Sequence, residues 1–170
     1  MPAGSWLDLS TGQTVTGPRS LIRTTPLDQL PLYLRSGAAI PYNLRTPDVW
    51  RSPWPLDDLF RKNRGGWLVA PDGEGQAAGD SADYGSIRTT LASGSLRVVV
   101  TRAPRETEVD VLGGRTPKTV TIDGKVFKRS ASPAALRPAR QGWLRKRGAL
   151  GGVVLKLAPT DGRSVVVLTF

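Results

Sequence analysis

A chain of 170 residues has room for one medium domain or two small ones, and its 39% hydrophobic content with 19 Gly and 14 Pro suits short strands joined by turns, not long helices. Cysteine and histidine are both absent, which excludes disulfides, thiolate and imidazole metal sites, and Ser-His-Asp or Cys-His nucleophiles, leaving carboxylates, Lys, Tyr and hydroxyls as the catalytic inventory. The formal charge of +10 belongs to residues 111–170, where 12 Lys and Arg face only Asp123 and Asp161, because residues 1–110 carry 12 side chains of each sign.

No charged leader precedes an apolar run and no eighteen apolar residues are consecutive, so neither a secretory signal nor a membrane span is read, and a cytoplasmic location is the default expectation. Trp6-Leu7-Asp8-Leu9 alternates, Ser10-Thr11-Gly12-Gln13 supplies turn chemistry, and Leu21-Ile22-Arg23-Thr24 is expected as the returning strand of a hairpin-like pair. Leu32–Arg35 reads as a further strand; Gly37 permits a bend before Ala38–Ile40, and Pro41 withholds a ladder donor at the exit. Between Pro41 and Gly66 the composition shifts to four prolines with Trp50 and Trp54, and Pro55–Arg61 is a short helix candidate ended by Gly65-Gly66.

Trp67–Ala70 opens a second β run, followed by a Gly- and Asp-rich turn region from Pro71 to Gly79. Tyr84–Leu91 and Leu96–Arg102 flank Ser93-Gly94-Ser95, and then come Thr107–Leu112, Thr119–Ile122, an Asp123-Gly124 hairpin turn, Val126-Phe127, Val153–Leu157 and Ser164–Phe170. Strands spaced this way indicate an antiparallel sandwich in which Val109, Val111, Val120 and Ile122 face inward. Ser130–Gly152 breaks the rhythm with Pro133 and Pro138 and is read as a long basic loop that leaves room for no more than a short helix. Its Arg137, Arg140, Arg145, Lys146 and Arg147 could be a nucleic-acid footprint, but Trp143 is the one aromatic among them, so a solvated loop is preferred and a nucleic-acid partner is not expected.

Pro2-Ala3-Gly4-Ser5-Trp6-Leu7-Asp8-Leu9-Ser10-Thr11-Gly12 resembles the Pro-x-Gly-x-Trp-x-Asp-x-x-Thr-Gly segment that follows the catalytic barrel in family 31 glycoside hydrolases, the α-glucosidase and α-xylosidase family. Pro26-Leu27-Asp28-Gln29-Leu30-Pro31-Leu32-Tyr33-Leu34-Arg35-Ser36-Gly37-Ala38-Ala39-Ile40-Pro41 resembles the block that comes next in that family, in order and correctly spaced. The resemblance implies an all-β, antiparallel β-sandwich chain. Its parts are a partial proximal C-terminal domain over residues 1–41, a Pro/Trp-rich linker with a short helix over 42–66, and a distal sandwich over 67–170. Because the family's block follows earlier strands, the proximal sandwich is expected to be incomplete, with an exposed apolar face on residues 6–40 and looser packing there than in 84–170.

Retaining glycosidases need two carboxyl groups about 5–5.5 Å apart on rigid supports. The resemblance implies that both are barrel aspartates, and neither their motifs nor a barrel-length βα alternation occurs in this chain. Asp57 and Asp58 are adjacent, and neighbours on a helix point about 100° apart, so they are read as first-turn dipole partners. Asp8 and Asp28 are read as loop ties that accept backbone or Arg hydrogen bonds. Asp72-Gly73-Glu74-Gly75 lacks the ligand spacing of a Ca²⁺ loop, and none of the Gly-Gly pairs opens a phosphate cradle. No catalytic, cofactor-binding or metal residue is therefore expected. Trp50, Trp54 and Trp67 are the candidate carbohydrate contacts, since sugar rings stack on exposed indoles, although pinning the linker to the sandwiches is the preferred role. The expected function is that of a non-catalytic accessory region whose partner is the (β/α)8 barrel of the parent glycosidase, in the same chain or a split one; an autonomous carbohydrate-binding module is the alternative.

Overall fold

The computed structural model describes residues 1–27, 31–43, 65–70, 75–113, 115–148 and 150–170. Within them the chain is all-β apart from one four-residue helix. The alternation of apolar and polar residues forms the first layer. In β8 (Ser95–Ala103), Leu96, Val98 and Val100 are buried while Arg97 between them is exposed. Around it, β6 (Gly75–Ser81), β7 (Gly85–Ala92), β10 (Thr119–Ile122), β11 (Lys125–Val126) and β14 (Thr160–Thr169) form a six-stranded sheet in the order β11-β10-β14-β8-β7-β6. Asp123 and Gly124 both take positive φ (50° and 78°), the type I′ geometry that matches strand twist, and set Ile122 opposite Lys125.

The facing layer has five strands in the order β12-β13-β9-β5-β4: β4 (Ala39–Asn43), β5 (Gly65–Val69), β9 (Thr107–Val111), β12 (Gly142–Arg145) and β13 (Val153–Leu157). Trp67, Val69, Val109, Val111 and Leu155 from this sheet pack on Ile87, Val98, Val120, Ile122 and Leu168 from the other. Val109, Val111, Val120 and Ile122 thus face the core as the alternation predicts. One pairing departs from the antiparallel expectation: β5 runs parallel to β9. A parallel pair needs a long crossover, and here it is made by β6, β7 and β8 of the opposite sheet in place of a helix.

A small sheet of β1 (Gly4–Asp8), β2 (Thr14–Gly17) and β3 (Tyr33–Arg35), in the order β2-β1-β3, lays Leu7, Leu9 and Leu34 against Leu68, Ala70 and Leu112. The strand returning from β1 is Thr14–Gly17, not Leu21–Thr24. The Asp8 carbonyl accepts from Gly12 N–H at 2.8 Å, which closes the turn early enough for Val15 to sit opposite Trp6. Leu21–Thr24 is irregular, and Ile22 stands free in solvent.

Strand register joins Ala39, Ile40 and Pro41 to Val69, Leu68 and Trp67, and Gly65 and Gly66 are themselves strand residues. The segment read as a basic loop holds the short helix for which it left room and, beyond that reading, a strand. Ser132 Oγ accepts from Ala135 N–H to cap helix α1 (Pro133–Leu136), and β12 then joins the five-stranded sheet. Burial explains the change, because Leu136, Trp143 and Leu144 are enclosed while Arg137, Arg140 and Arg147 stay in water. The helix expected over Pro55–Arg61 and the Asp72-Gly73-Glu74 turn lie outside the described residues.

The three-stranded sheet is small and its core holds few leucines, so its amides are expected to open at lower free energy than those of the sandwich. Native-state hydrogen exchange should show residues 6–40 exchanging faster than 84–170; equal protection in both would contradict this ranking.

Candidate functional site

Side chains alternate along β9, so Val109 and Val111 in the core oblige Glu108 and Asp110 to point to the outer face of the five-stranded sheet. Lys156 projects the same way between Leu155 and Leu157. One rung across the sheet reads Gly142, Lys156, Glu108, Gly66, Tyr42. This outer face is covered. Leu136, Leu144 and Val154 form a separate cluster with Tyr42, leaving Glu108, Asp110 and Lys156 no more than 2% exposed.

Charges in such a layer need partners. Lys146 forms an ion pair with Asp110. Lys156 Nζ donates to the Arg137 carbonyl at 2.7 Å and lies 3.1 Å from Glu106. Burial pushes the Asp110 carboxyl above its ordinary pKa, against the opposing charge and hydrogen bond of Lys146. Burial, followed by the negative charges of Asp110 and Glu108, raises the Tyr42 hydroxyl well above its usual range, so it is neutral at physiological pH.

Glu108 and Asp110, two apart on one strand, have side-chain origins roughly 7 Å apart on the same face. Their enclosure removes them from chemistry, since neither can meet a sugar or an attacking water. They are the charged residues that sequence reasoning passed over. Their sequence signal was charge alternating with valine in a short strand, which reads equally well as a solvent-facing side.

Asp8 is a loop tie, as expected. Buried at 5% exposure, it accepts from Ser10 N–H at 2.8 Å, Ser10 Oγ at 2.6 Å and the Arg23 guanidinium, which also reaches Ser10 Oγ. Burial acts to raise its pKa, but the hydrogen bonds from Ser10 and Thr11 and the charge of Arg23 together hold it below the ordinary value. Asp28, Asp57 and Asp58 lie outside the described residues.

Of the candidate sugar contacts, Trp50 and Trp54 lie outside the described residues. Trp67 is corrected by the structure: it is fully buried, its Nε1 donates to the Tyr84 carbonyl at 3.3 Å, and it has no face on which a sugar could stack. Gly79 makes this packing possible, because a Cβ there would stand 2.7 Å from the indole ring. Among the described residues no group of three or more acidic side chains gathers to hold a metal ion.

No protein-family profile and no curated protein sequence matches the chain. Solved structures do. A superposition over 99% of this chain covers 16% of the cycloalternan-forming enzyme of Listeria monocytogenes, with a TM-score of 0.79 at 20% identity. Another over 99% covers 23% of a GH31 dextranase of Flavobacterium johnsoniae, with a TM-score of 0.76 at 14% identity. The chain has the fold of part of a GH31 enzyme. It spans between 16% and 23% of the length of these proteins, so the GH31 likeness concerns a β region and not a whole enzyme.

Two measurements test the electrostatics of this GH31-like region. Lys146→Met strands the Asp110 charge and should destabilise the chain by about 3–5 kcal/mol in urea unfolding, whereas Lys146→Met with Asp110→Leu should recover most of the loss. Asp8, with its lowered pKa, stabilises the fold above the ordinary carboxylate pKa of about 4, and this contribution is lost as pH falls through the lower folded value. Asp8→Asn should accordingly flatten the acid limb of a Tm-versus-pH curve.

Proposed function

We propose that this chain is a non-catalytic C-terminal accessory region of a GH31-type glycoside hydrolase, supporting a (β/α)8 barrel that hydrolyses α-glucosidic or α-xylosidic bonds. The observation that carries the reading is the superposition over 99% of this chain on 16–23% of such enzymes. The ordered resemblance of residues 2–41 to the family's post-barrel blocks supports it from the sequence side. The enclosed Glu108 and Asp110 are consistent with a scaffold and not a catalyst. Ile22 and Leu27, fully exposed on the connection after β2, are apolar surface that the rest of an enzyme could cover, in the same chain or a separate one. An autonomous carbohydrate-binding module is less well supported, because the buried Trp67 removes one of the three indoles on which that alternative rested.

The purified chain should leave aryl α-glucosides and α-xylosides intact, and its tryptophan fluorescence should not saturate with maltooligosaccharides. Turnover abolished by Asp57→Asn or Asp58→Asn would overturn the reading in favour of an enzyme, and saturable quenching would favour the module.

A further inference from the structure

The outer face of the six-stranded sheet, on the side away from α1, holds an open groove of about 560 Å³ across β6, β7, β8 and β14. Three exposed arginines line it. Arg88 on β7 is opposite Val99 on β8, Arg97 lies two residues before Val99 on the same face, and Arg163 on β14 is opposite Thr101, two residues beyond. Arg88 and Arg97 therefore flank Val99 with side-chain origins roughly 8 Å apart, while Arg163 lies roughly 12 Å from Arg88 across β8 and roughly 14 Å from Arg97. Among the described residues Asp80 is the one carboxylate lining the groove, and none of the three guanidinium groups has an ion-pair or hydrogen-bond partner.

We infer that this groove is a binding surface for a carboxylate-bearing polysaccharide, a ligand that the accessory role does not require. Guanidinium forks match carboxylates in bidentate geometry and remain charged at any physiological pH. The residues between them are small or hydroxyl-bearing, Ala78, Ser86, Val99 and Thr101, so an extended chain can lie along the sheet with sugar hydroxyls near Ser and Thr. Among the described residues no aromatic side chain lines the groove, so the described lining offers none of the ring stacking on which neutral sugars and single-stranded nucleic acid rely.

The test uses the full 170-residue chain and polygalacturonate as the probe, with dissociation constants measured at low ionic strength. Two triple variants remove equal charge from opposite sides of the sandwich: Arg88→Gln/Arg97→Gln/Arg163→Gln in the groove, and Arg137→Gln/Arg140→Gln/Arg147→Gln beside α1 and β12. All six side chains are exposed, so both variants should keep the wild-type Tm. The groove variant should bind at least about tenfold more weakly, while the control stays within about twofold of wild type. No binding by the wild type, or equal weakening in both variants, would show only diffuse attraction to a basic protein and overturn the site. Tighter binding of DNA than of polygalacturonate would overturn the assignment of the ligand.

Discussion

Strand β9 lies in the middle of the five-stranded sheet with all five of its residues buried, so it must satisfy two environments at once. Its inner face, Val109 and Val111, belongs to the sandwich core; its outer face carries two carboxylates away from water. An enclosed charge without a partner would cost several kcal/mol, and much of the surrounding architecture meets that demand. Lys146 reaches in from just beyond β12, Lys156 comes from β13, and α1 closes over the layer through Leu136 while lending a backbone carbonyl to Lys156. The small three-stranded sheet covers the neighbouring part of the same face, over Leu68, Ala70 and Leu112.

Enclosure and function work against each other in this layer. Glu108 and Asp110 share one face of β9, but their burial and the commitment of Asp110 to Lys146 leave no room for a substrate. Charges and apolar groups are left uncovered on the connection bearing Ile22 and Leu27 and on the open sheet face bearing Arg88, Arg97 and Arg163. Under the proposed accessory role, the first would brace a catalytic unit while the second meets the proposed ligand.

Much of this was legible in residue order. Leu96, Val98 and Val100 mark the inward face of β8 by simple alternation, Asp123-Gly124 names its own turn because both residues tolerate positive φ, and Asp8 beside Ser10 and Thr11 carries the chemistry of a loop tie. Each of these depends on neighbours a few residues away. The misreadings share the opposite property. Leu21–Thr24 looks as strand-like as Thr14–Gly17, and only the closure of the Asp8–Gly12 turn decides which one pairs with β1.

The sequence by itself determined the all-β class, the directions of the side chains along each strand and the absence of cysteine and histidine chemistry, because composition and a period of two are local properties. The tertiary structure alone decided that β5 pairs in parallel with β9, that a basic, proline-broken segment supplies α1 and β12, that Trp67 lies in the core, and that Glu108, Asp110 and Lys156 are enclosed. The physical reason is that a strand's pattern states which way a side chain points, while burial depends on what packs over it, and here those covering elements come from residues far away along the chain.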